Sequence, residues 1–233
     1  MANFNTHLNT AVIITGLASA SLLSAGHIDL EGALWLWFLG SIGGLLPDID
    51  SDNSTSLDTI FNLFALCAVL LVLHYITTEL IIEISFIELI LVPLLVYGFM
   101  KFIIRSIFEW ITVHRGSCHS LLFILLCALL TTQVTWQLND QSTTQAAVFA
   151  WLTGGFILVG GLIHLLLDEI YSVDLSNVTI KRSFGTALKI ADFDNKLITV
   201  SSVIALAGLI YVAPPIKQTI TALSDWSQFI FLS

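Results

Sequence analysis

The sequence predicts an all-α integral membrane protein built as a polytopic transmembrane helical bundle. Of the 233 residues, 56% are hydrophobic and 11% are charged, and the mean hydropathy is +0.92. Soluble domains carry about 25% charged residues. The length fits one transmembrane domain over residues 1–233. A formal net charge of −9 argues against nucleic acid as a partner.

About seven apolar segments follow one another along the chain, at 8–25, 32–46, 57–76, 85–104, 121–136, 146–167 and 197–213. A membrane-spanning helix needs about 20 residues. The second segment stops at Pro47 and is short, so we expect it to be tilted or re-entrant. Pro93 is expected to kink the fourth segment. The first lacks a basic n-region and a cleavage site, which favours a retained helix over a signal peptide.

Residues 171–196 are polar and are predicted to form a cytoplasmic loop. The alternating stretch at 178–182 favours a short hairpin within it. The chain has three cysteines, an odd count that gives no disulfide framework.

The basic residues indicate how the chain is oriented. Seven of the eight fall into two groups, Lys101, Arg105 and Arg115 in the first, and Lys181, Arg182, Lys189 and Lys196 in the second. Two predicted spans separate the groups, so both face one side, which the positive-inside rule assigns to the cytoplasm. Counting spans backwards places His7 and residues 48–50 on that side as well. Separate polar clusters are therefore expected to converge at one membrane face.

The central cluster, 114–120, places His114, Arg115 and His119 between two apolar segments. Each ionisable residue at the centre of a spanning helix costs roughly 2.5–3.5 kcal/mol, and such residues usually mark function. His164 and Asp168 are four residues apart and share a helix face. We therefore expect a site at the cytoplasmic helix ends.

Histidine nitrogen and carboxylate oxygen together suit zinc, or manganese and iron where carboxylates dominate. The candidate metal ligands are His7, Asp48, Asp50, His114, His119, His164 and Asp168. Seven ligands exceed the four of a tetrahedral ion, so one or two divalent ions are expected. The chain has no thiolate pair and no His-Glu-x-x-His, which disfavours a zincin.

Each candidate also has a plain structural interpretation. Asp48 and Asp50 are also explained as solvated loop residues or helix caps, and Asp168 as an interfacial helix end. Arg115 is also explained by the positive-inside rule alone. His164 is the strongest single candidate, because a histidine inside a span seldom lacks a partner.

The joint pattern resembles the YdjM-like family. It comprises Thr6-His7, Leu45-Leu46-Pro47-Asp48-Ile49-Asp50, His114-Arg115-Gly116-Ser117-Cys118-His119-Ser120 and His164-Leu165-Leu166-Leu167-Asp168. The resemblance runs from residue 6 to about 196. It implies a bacterial inner-membrane, metal-dependent hydrolase that is distantly similar to zinc-dependent phospholipase C. It also implies that the seven candidate ligands of this chain correspond to the metal-binding positions of the family.

These observations predict a phosphoesterase that acts on a phospholipid or related phosphoester at the cytoplasmic face. Asp50 or Asp168 would act as base where it is not a ligand. Arg115, Lys181 and Arg182 would hold the phosphate. A metal-ion transporter, or a metal-dependent membrane sensor or scaffold, would use the same ligands and is the alternative. The oligomeric state stays open.

Overall fold

The computed structural model describes residues 3–50, 55–78, 85–111, 118–139, 141, 143–174, 179–180 and 188–227. Within them the chain is almost entirely helical. The helices are α1 (Phe4–Ser24), α2 (Leu30–Gly43), α3 (Thr55–Thr78), α4 (Phe86–Gly98), α5 (Arg105–Ile111), α6 (Leu121–Leu138), α7 (Thr144–Ile170), α8 (Lys196–Tyr211) and α9 (Ile216–Leu223). The strands β1 (Val173–Asp174) and β2 (Thr179–Ile180) pair antiparallel, with Val173 opposite Ile180.

Five helical stretches of the described chain are long and apolar enough to cross a membrane. They are Phe4–Ser24, Thr55–Thr77, Phe86–Glu109, Leu121–Leu138 and Thr144–Ile170. The predicted all-helical membrane protein is therefore confirmed. The helices α2 and α8 are apolar but shorter than the roughly 20 residues of a span, so the count of seven stays a prediction.

Short polar side chains begin several of these helices by accepting hydrogen bonds from backbone N–H groups that have no partner within the helix. The Asn3 side chain accepts from Thr6 N at the start of α1, and Asp29 accepts from Gly32 N at the start of α2. Ser85 and Glu88 form a reciprocal capping box at the start of α4.

Residue contacts divide the chain into two compact units, one of Met1–Pro47 with Gly116–Ser233 and the other of Asp48–Arg115. The single domain that the sequence predicts stays a prediction. In the second unit, α3 packs against α4. The helix α4 continues through Pro93, and the chain then forms a π-helical segment at Phe99–Ile104. Arg105 pairs with both Asp58 and Glu109 in this unit.

In the first unit, α7 packs against α1, α2, α6 and α9. The crossing of α2 and α7 is made of backbone against backbone. A Cβ on Gly160 would lie 2.1 Å from the carbonyl oxygen of Gly40, and one on Gly43 would lie 2.5 Å from that of Ile157. Small residues allow such close approach between helices in membranes. The crossing fixes the end of α2 against α7.

The crossing predicts opposite effects for two glycines of α7. Gly160→Ala forces a methyl group into the α2 backbone and should lower the unfolding temperature in detergent, at a cost of about 1–3 kcal/mol. Gly155→Ala meets no atom within 4 Å and should leave it unchanged or raise it, since alanine favours helix. Equal unfolding temperatures for the two variants would contradict the close crossing.

Candidate metal centre

Polar residues of the first unit meet where α1 begins and α7 ends. His7 lies near the start of α1, His164 and Asp168 lie in the last turns of α7, and His119 precedes α6. The exposed fraction is 1% for His7, 0% for His164 and 2% for Asp168. The His119 side chain is 12% exposed. Buried ionisable groups of this kind are costly unless they are paired or bind metal.

The carboxylate of Asp168 lies at the centre of this cluster. Its Oδ1 is 3.2 Å from His7 Nε2, and its Oδ2 is 3.0 Å from His119 Nε2 and 3.7 Å from His164 Nε2. The rings of His7 and His164 stack with their centroids 3.6 Å apart. The His119 ring meets that of His164 nearly edge-on, at 5.2 Å. Three imidazoles therefore surround one carboxylate.

The orientation of His164 is set by the backbone of α2. Its Nδ1 lies 2.7 Å from the carbonyl oxygen of Gly44, the residue that follows α2. A carbonyl can only accept, so Nδ1 carries the proton and, in the neutral ring, Nε2 keeps its lone pair toward Asp168. A histidine that binds metal through one nitrogen commonly donates from the other to a carbonyl in this way.

Gly44 allows this contact because it has no side chain. A Cβ there would lie 2.5 Å from the Cβ of Ala11 on α1. The last carbonyls of a helix lack partners within the helix, and the Gly44 oxygen is used by His164 instead.

The ring of His7 gives independent support for a metal. Both of its nitrogens are buried, and neither is in hydrogen-bonding geometry with a partner among the residues that the structure describes. The 3.2 Å approach of Nε2 to Asp168 is within ion-pair distance but does not satisfy that geometry. A buried polar atom without a hydrogen bond costs about 1–3 kcal/mol. Coordination would offset that cost.

The donor set could hold a metal ion. His119, His164 and Asp168 each offer one ligand atom, and these atoms lie within 4.8 Å of one another. Two or three histidine nitrogens with a carboxylate oxygen match the ligand number and type of tetrahedral zinc. His7 lies beside this group, with its Nε2 3.2 Å from Asp168 Oδ1.

The described structure brings together four of the predicted site residues, His7, His119, His164 and Asp168. Asp48 is half-buried in a 3-10 turn at Leu46–Asp50 and belongs to the second unit. The side chain of Asp50 lies outside the described part, as do His114, Arg115, Lys181 and Arg182. Their roles stay predictions.

Two features of the site were not selected from the sequence. One is the Gly44 carbonyl, for which a backbone oxygen gives no residue-type signal. The other lies next to the site and is the backbone of Lys189, a residue for which the sequence indicated only an orientation under the positive-inside rule. The Lys189 carbonyl accepts a hydrogen bond from Leu121 N at 3.0 Å. Leu121 is the first residue of α6 and lies two residues after His119, so this bond holds the Lys189 backbone beside the start of α6.

Fold and site together define an α-helical membrane protein with a buried histidine–aspartate cluster suited to a metal ion. The model of the YdjM inner membrane protein family matches residues 1–176. The chain therefore belongs to that family, and the resemblance drawn from the sequence is confirmed. The match includes His7, Gly44, His119, His164 and Asp168. No curated protein and no solved structure matches the chain.

The cluster predicts metal in the purified protein. His164→Ala and His119→Ala should each lower bound transition metal at least about tenfold, as measured by elemental mass spectrometry, because each removes a ligand. His27→Ala is the matched control, since His27 follows the other end of α1, and it should keep the metal. Stoichiometric metal in a folded His164→Ala protein, judged by helical circular dichroism, would refute the assignment.

Proposed function

We propose that this chain is a membrane-bound, metal-dependent hydrolase that cleaves a phosphoester of a phospholipid or related molecule at the cytoplasmic face. The observation that supports it most is the buried Asp168 carboxylate surrounded by three histidines, one of them oriented by Gly44. Such an arrangement is costly to build and is typical of a functional site within a membrane protein.

A divalent metal held by His119, His164 and Asp168 would supply Lewis acidity toward a phosphoryl oxygen and toward the attacking water. The other steps belong to the chain itself. The Gly44 carbonyl keeps the His164 proton on Nδ1, away from the ligand position. Asp168, or Asp50, would accept the proton of water where it is not a ligand.

Phosphoesters are anionic, so a site rich in carboxylate needs cations. Arg115, Lys181 and Arg182 are the cations that the sequence predicts. Lys189 joins them, because the hydrogen bonds from Leu121 N to its carbonyl and from Leu122 N to Ile190 O hold its segment against α6. Its ammonium group forms an ion pair with Asp192 at 3.7 Å, which a phosphate would have to share.

Lipid is favoured over a soluble ester because the cluster lies at the ends of apolar helices. The start of α1 and the end of α7 would lie near headgroup depth if both cross the bilayer. The partly exposed side chain is that of His119, so a substrate would approach from its side of the cluster.

A metal-ion transporter is the second candidate. Thr15 and Ser19 lie on the buried face of α1 that begins with His7, which would suit a polar path. Their hydroxyls donate to Ala11 O and Gly16 O of the same helix, however, and are not arranged as ion ligands. A metal-dependent sensor or scaffold would need the same centre without turnover.

Phosphoester release by the purified protein in lipid should be chelator-sensitive. Across a panel of phospholipids and soluble phosphodiesters, Asp168→Asn should lower kcat/KM by about a hundredfold or more, since it changes a ligand or base. Glu31→Gln removes a carboxylate from the first turn of α2 and is the control.

In the same assay, Arg115→Ala and Lys189→Ala should each raise KM while the bound metal is retained. Lys217→Ala on α9 is the control and should leave KM unchanged. If no phosphoester is cleaved in a chelator-sensitive way and metal ions cross the membrane of proteoliposomes, the hydrolase proposal is wrong and the transporter is the better explanation.

The proposed cytoplasmic orientation is tested by cysteine labelling in intact cells, with Cys67, Cys118 and Cys127 replaced by serine. Asn5→Cys, an exposed position at the start of α1, should be shielded from an impermeant maleimide. Gln141→Cys, exposed between α6 and α7, should be labelled. The reverse pattern would place the cluster outside.

A further inference from the structure

A cavity lies at the end of the first unit opposite the metal centre. It has a volume of about 650 Å³ and is formed by the turn after α1, the start of α7 and part of α9. Gly26 in its wall follows the end of α1, whereas His7 is near the start of that helix. A helix of 21 residues is about 31 Å long, so this cavity is remote from the metal centre.

The cavity is lined by both apolar and polar residues. Ile28, Phe149 and Ala222 line it and pack against the core cluster that includes Val148. Polar side chains of the turn after α1, the end of α6 and the start of α7 complete the lining, among them Asp29, Asn139 and Gln145. A concave site of this size with a few convergent polar groups is typical of small-molecule binding.

The polar part of the lining contains an acidic residue and amide acceptors. Among the described lining residues, Asp29 carries the formal charge, and no lysine or arginine contributes. Its Oδ1 accepts from Gly32 N at 2.8 Å at the start of α2, and its second oxygen is not used in that hydrogen bond. The Asn139 amide nitrogen donates to Thr135 O, so its carbonyl oxygen remains an acceptor.

A second carboxylate, that of Asp225, lies near the lining residue His27. Asp225 follows α9 and interacts electrostatically with His27, a lining residue whose ring meets Trp226 edge-on at 5.2 Å. Hydrogen bonds from the Ser227 side chain and backbone hold the pKa of the Asp225 carboxyl below its usual range. This carboxylate is therefore ionised at neutral pH.

We propose that this cavity binds an organic ammonium group. Asp29 supplies the counter-charge, the carbonyl oxygens of Asn139 and Gln145 accept N–H donors, and Phe149 with Ile28 receives the apolar part of the ligand. A free amine and the headgroup of an ethanolamine lipid share this chemistry, whereas choline, which has no N–H, would use only the counter-charge and the apolar contact. The site is independent of metal binding and hydrolysis at the other end.

The test uses the full-length protein in a maltoside detergent, titrated calorimetrically with ethanolamine, with choline and with the neutral carbon analogue of choline. Asp29→Asn should weaken ammonium binding about tenfold, because it removes the charge while asparagine still caps α2. Glu31→Gln, two residues further on, should bind as the wild type does. Phe149→Leu is a second variant that keeps an apolar side chain in the lining. It should weaken the binding of choline more than that of ethanolamine.

A second experiment tests for a lipid ligand. The wild type and Asp29→Asn are purified from nanodiscs that contain ethanolamine lipid, and native mass spectrometry measures how much lipid each protein retains. If the wild type retains ethanolamine lipid and Asp29→Asn does not, the ligand is a lipid headgroup. If the free amines bind in the calorimetric titration, the ligand is a soluble amine. Three results would overturn the proposal. Asp29→Asn could bind ammonium compounds as tightly as the wild type does, or the wild type could bind the neutral analogue as tightly as choline. The third is that neither the calorimetric titration nor the nanodisc experiment detects binding of an ammonium compound.

Discussion

The close crossing of α2 and α7 is the constraint on which the first unit depends. Glycines at this crossing remove the side chains that would hold the helices apart, and Gly160 leaves no space for even one methyl group. Lipid tails are as apolar as the helices, so packing of this kind replaces the hydrophobic effect as the source of association. The same approach brings the Gly44 carbonyl to His164, so the fold and the cluster are stabilised by one contact region.

The cluster shows how a membrane protein keeps a carboxylate away from water. Asp168 is surrounded by imidazoles from three different parts of the chain, none of them a permanent cation. A neutral imidazole offers polarity without a charge to desolvate, whereas a lysine or arginine would add a second buried charge. The arrangement could therefore hold a metal ion as the counter-charge, because the imidazole nitrogens and the carboxylate oxygen are close enough to act as ligands together.

Local patterns predicted the helices and the pairing of His164 with Asp168, since both follow from spacing along one helix. The position of His7 followed from counting spans, which needs only chain direction and the distribution of basic residues. The Gly44 carbonyl was not predicted, because a backbone acceptor has no sequence signature. The π-helical segment at Phe99–Ile104 was missed as well, since proline signals a break at Pro93 and nothing signals a widened turn beyond it.

A glycine crossing has a mechanical consequence. Side chains between two helices change rotamer and so absorb small displacements, but backbone atoms in direct contact do not. Any sliding of α2 along α7 therefore moves the Gly44 oxygen by the same distance, and a hydrogen bond of 2.7 Å tolerates only a few tenths of an ångström. The end of α2, the His164 ring and the adjoining turn of α7 thus behave as one rigid part, whose position and proton arrangement change together.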